Sequence, residues 1–210
     1  MFWALFLILV CYLIGSIPSG VIVARRAKKI DLRKVGSGNT GAMNAYRALG
    51  LKGGLTVLGL DALKGLAAVF LAYFALLPDF TLPVVKVIYG FAAIVGHNYS
   101  PFLKFKGGKG IATGFGVLLA LSPKVAVLVL LLWIGLVALT HYSSVGSLAA
   151  SATAPVLMFI YKDHPVYIAF GVASAVFAFY RHKENIQRLL NGREIPFHAG
   201  AGPAEGSRGR

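Results

Sequence analysis

From Val125 to Tyr161 the chain runs 37 residues without a charged side chain. As one straight α-helix that run would extend about 55 Å, against a bilayer hydrocarbon core of about 30 Å. The run must therefore break, and its only polar cluster is His141-Tyr142-Ser143-Ser144. A break there predicts two membrane helices, near 124–140 and 143–161. The rest of the chain divides in the same way. Phe2 to Ala24 carries no charge over 23 residues, enough for a first span near 3–23 with Pro18 placed to kink it. A cleaved signal peptide would carry basic residues ahead of its apolar run, whereas here they follow it. Gly53–Pro78 reads as a second span, interrupted by Asp61 and Lys64, and Val84–Tyr99 as a third, with Lys86 able to snorkel. Gly110–Leu121 stops at Ser122-Pro123 and reads as a short or tilted helix; Pro165–Tyr180 is the last span. The expected fold class is an all-α polytopic membrane protein with seven transmembrane helices. Residues 1–197 form a single membrane domain, and 198–210 form a small, flexible, linker-like tail.

Charge supplies the orientation. Charged residues are only 13% of the chain, where a soluble domain carries about 25%. Yet 21 Lys and Arg face 7 Asp and Glu, for a net charge of +14. Such an excess belongs either to the loops of a membrane protein or to a nucleic-acid surface, and position decides. Seventeen of the 21 fall in the segments 25–52, 98–110 and 181–210, which seven helices place on one face. By the positive-inside rule that face is cytoplasmic, so the N-terminus lies outside and the C-terminus inside. Charge scattered over loops of one membrane face, not along a groove, argues against a nucleic-acid partner. Cys11 is the only cysteine; it excludes an intrachain disulfide and reads as an inert, lipid-buried thiol.

Every notable polar cluster falls on the inner face. In Gly36-Ser37-Gly38-Asn39-Thr40-Gly41-Ala42-Met43-Asn44, glycines let successive N–H groups converge on an anion, and Arg47 adds a planar fork for phosphate. The second cluster is His97-Asn98, then Lys104-Phe105-Lys106-Gly107-Gly108-Lys109-Gly110. It opens onto an apolar helix whose N-terminal dipole favours anions. Taken singly, each loop can also be read as a set of turns whose lysines answer the inner surface charge. The hydroxyls of Ser143 and Ser144 serve equally as helix caps or as phosphate donors. Arg181, Asn185 and Arg188 share a helix ridge with His182 beside it, a pattern that also suits a solvated surface helix. Asp61 and Lys64, three apart inside a span, read as a structural ion pair near the inner interface.

Absences narrow the chemistry. There is no His-x4-Asp acid–base pair, no Walker A loop, no His/Cys/Asp metal cluster and no serine triad at family spacing. Seven carboxylates are few for a magnesium-dependent phosphotransferase. A small-anion transporter would also want spans and basic loops, but its site belongs near the midplane, commonly with inverted repeats, and the sequence shows neither. A scaffold for anionic lipid would need lysines but not two ordered Gly/Ser/Asn loops.

Taken in order, these motifs resemble the bacterial membrane-integral acyl-phosphate:glycerol-3-phosphate acyltransferases of the PlsY type. The matching segments are Gly15 to Gly20, Gly36 to Asn44 with Arg47, Asp61 to Gly65, His97-Asn98 with Phe105 to Gly110, and Arg181-His182 with Glu184 to Ile186 and Arg188-Leu189. They cover about 1–197. The resemblance implies transfer of a fatty acyl chain from acyl phosphate to the sn-1 hydroxyl of glycerol 3-phosphate, giving lysophosphatidic acid and phosphate. This would take place in the bacterial inner membrane with the site facing the cytoplasm and no cofactor or metal. Ser37, Arg47, His182 and Asn185 are the expected catalytic residues. The expected binding residues are Gly36, Gly38, Asn39, Gly41, Asn44, His97, Asn98, Lys106, Gly107, Gly108, Lys109, Gly110, Ser143 and Ser144. The hydroxyl proton passes either to His182 or, as preferred here, to a substrate phosphate oxygen, since no Asp partner for His182 is evident.

Overall fold

Proline and glycine set the ends of the first helices. In the computed structural model, which describes residues 2–200, the run expected as one span near 3–23 is split into α1, Phe2–Ser16, and α2, Ser19–Lys28. Pro18 has no N–H to continue the ladder, and the Ile17 carbonyl instead accepts a hydrogen bond from Lys64 Nζ at 2.5 Å. The third helix, α3, spans Ala42–Leu71. It starts eleven residues before the expected Gly53, because hydropathy marks only the lipid-embedded part and misses the polar turns ahead of it. Gly50, at φ 79°, kinks it between those parts, a backbone angle that glycine adopts without strain. Its end is also earlier than the expected Pro78, passing at Ala72 into one 3-10 turn.

The remaining helices are α4 (Leu82–Asn98), α5 (Ile111–Leu121), α6 (Pro123–Thr140), α7 (Ser143–Ile160), α8 (Pro165–Arg181) and α9 (Lys183–Leu190). The break in the long apolar run falls where its polar residues put it, with His141 in the left-handed region at φ 63° closing α6. The helical ridge expected through Arg181, Asn185 and Arg188 is interrupted, because His182 leaves the helical conformation between α8 and α9. Among the described residues there is no β-strand, and the protein is an all-helical membrane protein. Among the described residues, five helical stretches are long and apolar enough to cross a bilayer: Phe2–Lys28, Ala42–Phe74, Asp79–Leu103, Pro123–Thr140 and Ser143–Ile160. The helices Ile111–Leu121 and Pro165–Arg181 are apolar but shorter. Of the tail expected over 198–210, residues 201–210, with Arg208 and Arg210, lie outside the described residues.

The closest packing joins α1 to α4 and α3 to α5 on one side, and α6 to α7 to α8 on the other. Lipid is as apolar as leucine, so helices in a membrane associate through close backbone approach at small residues. The α3–α5 contact shows this on both partners. A Cβ on Gly65 would lie 2.0 Å from the Thr113 carbonyl oxygen, and one on Gly116 would lie 1.9 Å from that of Ala62. A cavity of about 640 Å³ opens between the two groups of helices.

Gly116→Ala should therefore force α3 and α5 apart and cost about 1–3 kcal/mol of stability, as overpacking typically does. Gly135→Ala, on a site with nothing within 4 Å of the added carbon, should leave stability unchanged within about 0.5 kcal/mol apart from helix propensity. Thermal melting of both variants in detergent checks the pair.

Candidate active site

The cavity is polar at one end because three kinds of segment meet there: the 36–41 loop, the start of α5, and the strap after α9. Asn44, in the first turns of α3, organises the first of these. Its side-chain oxygen accepts from the Ser37 N–H at 3.0 Å. Its amide nitrogen lies 2.9–3.0 Å from the carbonyls of Leu32, Val35 and Asn39. The loop is thereby folded so that Ser37, Asn39 and Gly41 reach the cavity wall. Asn44 also borders the cavity, but its hydrogen-bonding groups are spent on the loop. Arg47 follows on α3 and donates to the Ile195 and Pro196 carbonyls at 2.9 and 3.2 Å.

The strap carries the residue that the sequence analysis missed. Glu194 is 8% exposed and accepts from Ser144 Oγ at 3.1 Å, Asn185 Nδ2 at 2.6 Å and Arg188 Nε at 3.0 Å. The Asn185 oxygen in turn accepts from Lys109 Nζ. One carboxylate thus ties α7, α9 and, through Asn185, the start of α5 to the strap. A signal that could have found it is the scarcity of acidic residues: a lone Glu just past a basic helix has cations on hand to pair with. Phe197 closes the arrangement, its N–H donating to the His141 carbonyl at 2.8 Å and its ring lying 6.0 Å from that of Tyr46.

His182 is buried, and its Nδ1 lies 2.8 Å from the Ala178 carbonyl oxygen. A carbonyl only accepts, so Nδ1 carries the hydrogen and Nε2 keeps its lone pair. Burial first, and the positive charge of Lys109 second, push its pKa down to about 4; the ring is neutral at pH 7. Lys109 is pushed down to about 8, by burial first and by Arg188 second.

Of the residues expected at the site, Ser37, Asn39, Gly41, Asn44, Arg47, His97, Lys109, Gly110, Ser143, Ser144, His182 and Asn185 all border this one cavity. The structure leaves the others off its wall. Lys106 is exposed, on a turn where Lys104 and Phe105 adopt positive φ. Gly36 and Gly38, also at positive φ, make the loop's turns. Gly107 and Gly108 form the part of the second loop that lies off the cavity and packs on Asn98, with the Asn98 and His97 carbonyls accepting from the N–H groups of Gly107 and Gly108 at 3.1 Å each. Arg181 also holds this loop, donating to the Gly108 carbonyl at 2.8 Å.

Away from this end the lining turns apolar, with Leu118, Val129, Trp133, Ile134, Ala154 and Phe170. Leu51, Leu55 and Leu58 form a stripe on α3 that borders the cavity and yet remains 63, 56 and 38% exposed. The cavity is thus open sideways along α3. It suits a ligand with a charged head and a hydrocarbon tail that reaches in from lipid.

Comparison with known proteins agrees with this geometry. Residues 5–192 match the family described as glycerol-3-phosphate acyltransferase. A glycerol-3-phosphate acyltransferase of Aquifex aeolicus is 43% identical over 195 residues, covering 92% of this chain and 99% of that protein. One from Geobacter sulfurreducens is 44% identical over 195 residues, covering 93% and 98%. Among solved structures, PlsY (YgiH), an integral membrane glycerol 3-phosphate acyltransferase, superposes in its glycerol 3-phosphate form with a TM-score of 0.85 at 40% identity. The match covers 92% of this chain and 94% of that one. The lysophosphatidic acid form gives 0.83 at 39%.

The Lys109 cation is present below a pKa of about 8 and is lost as pH rises through it. Binding of inorganic phosphate, titrated from pH 7 to 10, is therefore expected to weaken above pH 8, approaching roughly tenfold per pH unit for one linked proton. His182, already neutral, adds no step near pH 6.5. A constant affinity up to pH 10 would remove Lys109 from the anion site.

Proposed function

The chain belongs to the glycerol-3-phosphate acyltransferase family, and we propose that it moves a fatty acyl chain from acyl phosphate to the sn-1 hydroxyl of glycerol 3-phosphate. The products are lysophosphatidic acid and inorganic phosphate. One observation carries this reading: a single cavity gathers Arg47, Lys109 and Arg188 at one end and is apolar and open along α3 at the other. An acyl phosphate matches it, with its head among the cations and its tail in lipid. Two phosphate groups must come together for the reaction, and their repulsion needs offsetting. Hydrogen bonds to charged groups contribute about 1.5–3 kcal/mol each, so several donors per phosphate suffice.

The loop 36–41 with Asn39, and Lys109 with Gly110, hold the acyl phosphate. Arg47, Ser143 or Ser144, and His182 hold glycerol 3-phosphate; Ser37 and Asn185 orient the reacting carbonyl or hydroxyl. The hydroxyl oxygen attacks the acyl carbon, the bond from that carbon to the phosphate oxygen breaks, and the proton leaves with the phosphate. The donor is already an activated mixed anhydride, so no covalent enzyme intermediate is required. A ring with a pKa of about 4 is a weak base at neutral pH, and this supports a substrate phosphate oxygen as the proton acceptor. His182 then accepts a hydrogen bond through Nε2 from the second, non-reacting hydroxyl of glycerol 3-phosphate. The basic segments 25–52 and 98–110 support an orientation with the site facing the cytoplasm from a bacterial inner membrane.

Purified protein in lipid, given glycerol 3-phosphate and palmitoyl phosphate, is expected to release phosphate and form the sn-1 product, and to be inert with palmitoyl-CoA. No phosphate release with the acyl phosphate would overturn the reading. His182→Ala should raise KM for glycerol 3-phosphate by about tenfold, the scale of one lost hydrogen bond, while kcat falls less. A kcat loss of about a thousandfold at saturating substrate would restore histidine as the base.

A further inference from the structure

Below the Gly107–Gly110 loop lies a buried group of polar side chains that the reaction as drawn does not use. Asp61 and His97 are 1% and 9% exposed. The Asp61 carboxylate takes Lys64 Nζ at 2.6 Å and faces His97 Nδ1 across 3.6 Å. Lys64 also donates to the Ile17 carbonyl at the break between α1 and α2. On its other edge the His97 ring supports the loop. A Cβ placed on Gly108 would lie 2.1 Å from His97 Nε2, and one on Gly107 would lie 2.0 Å from the His97 carbonyl oxygen. Loop and imidazole are thus in direct contact, with no space for even a methyl group. Toward Asp61 the ring has no room to withdraw. The space behind it, among Ser16, Thr40, Asp61, Lys64 and Ser100, is about 10 Å³, at or below the volume that one water occupies.

We propose that His97, braced by Asp61, is a positioning residue: its imidazole is the floor on which Gly108 rests, and so fixes where the next residue, Lys109, presents its ammonium. This rests on the reading that Lys109 holds the acyl phosphate. Two contacts hold the loop at Gly108, the Arg181 guanidinium on its carbonyl and the imidazole against its Cα. With both in place Lys109 reaches Asn185. The missing side chain at Gly108 is then a requirement set by His97, and not by the turn itself, since Gly108 is absent from the glycines at positive φ.

A compensation experiment tests this. Gly108→Ala is expected to raise KM for palmitoyl phosphate by about tenfold or more while kcat and KM for glycerol 3-phosphate change by less than about threefold. His97→Ala alone should have a smaller effect of the same kind. In the double variant, His97→Ala makes room for the added methyl, so KM should fall back to that of His97→Ala, a non-additive result expected only for groups in contact. Simple multiplication of the two effects, or equal losses for both substrates, would overturn the proposal. Asp61→Asn alone would leave Lys64 buried without a counter-charge and risks the fold. Asp61→Asn with Lys64→Met removes both charges; it should reproduce the His97→Ala rise in KM, and wild-type KM would exclude Asp61 from the brace. Phosphate-induced shifts in melting temperature, measured on the same variants, give the same comparison without turnover. If the wild type does not use acyl phosphate, the proposed reaction fails, while these shifts still decide whether His97 positions the loop.

Discussion

In hydrocarbon, every peptide N–H and C=O needs a partner within the protein, and a continuous helix supplies them all. Irregular backbone is therefore tolerated only where protein or water covers it. The breaks at Ile17-Pro18, at Gly50, through 99–110, at His141-Tyr142 and at His182 are where the rods stop satisfying themselves. The first four residues of a helix have N–H groups without intrahelical partners, and the starts of α3, α5 and α7 all border the polar end of the cavity. The site is built from the places where helices fail, gathered at one end of the bundle. Its capacity to hold anions follows from that before any lysine is counted.

The charged side chains then refine what the backbone provides. Cations dominate the cluster, and Glu194 is the carboxylate that holds them in place. Ser144, Asn185 and Arg188 converge on it, so groups from α7 and α9 keep fixed separations without an anionic substrate. Burial among like charges is also what holds Lys109 at about 8 and His182 at about 4. The same crowding that draws in phosphate keeps the imidazole neutral.

Much of this was legible in the sequence, for identifiable reasons. The uncharged run 125–161 set its own break, since length and bilayer thickness leave no other solution, and α6 and α7 meet there. The loops at 36–41 and 107–110 were visible as glycine with donors, because anion binding by backbone needs little else. Helix limits outside lipid were not legible: hydropathy does not register the first turns of α3, which are held by Asn44 and by contacts with the loop. Nor was the difference between residues on the cavity wall and residues beneath it. Lys106 and Lys109 are alike on paper, but the positive φ angles of Lys104 and Phe105 turn the first outward, while the second enters the cavity. Glu194 could be suspected from the scarcity of acidic residues, but its partners could not, because they depend on the chain folding back across 50 residues onto Ser144, and nothing local encodes such a contact.

That fold-back has a consequence for the order of assembly. Residue 194 follows every long apolar helix in the chain, so this carboxylate is made after all of them. Glu194 brings a carboxylate to Arg188 and, through Asn185, to Lys109, and the strap brings the Ile195 and Pro196 carbonyls to Arg47. The membrane helices thus supply the walls of the cavity, and the strap that follows them supplies the contacts that hold its polar end together.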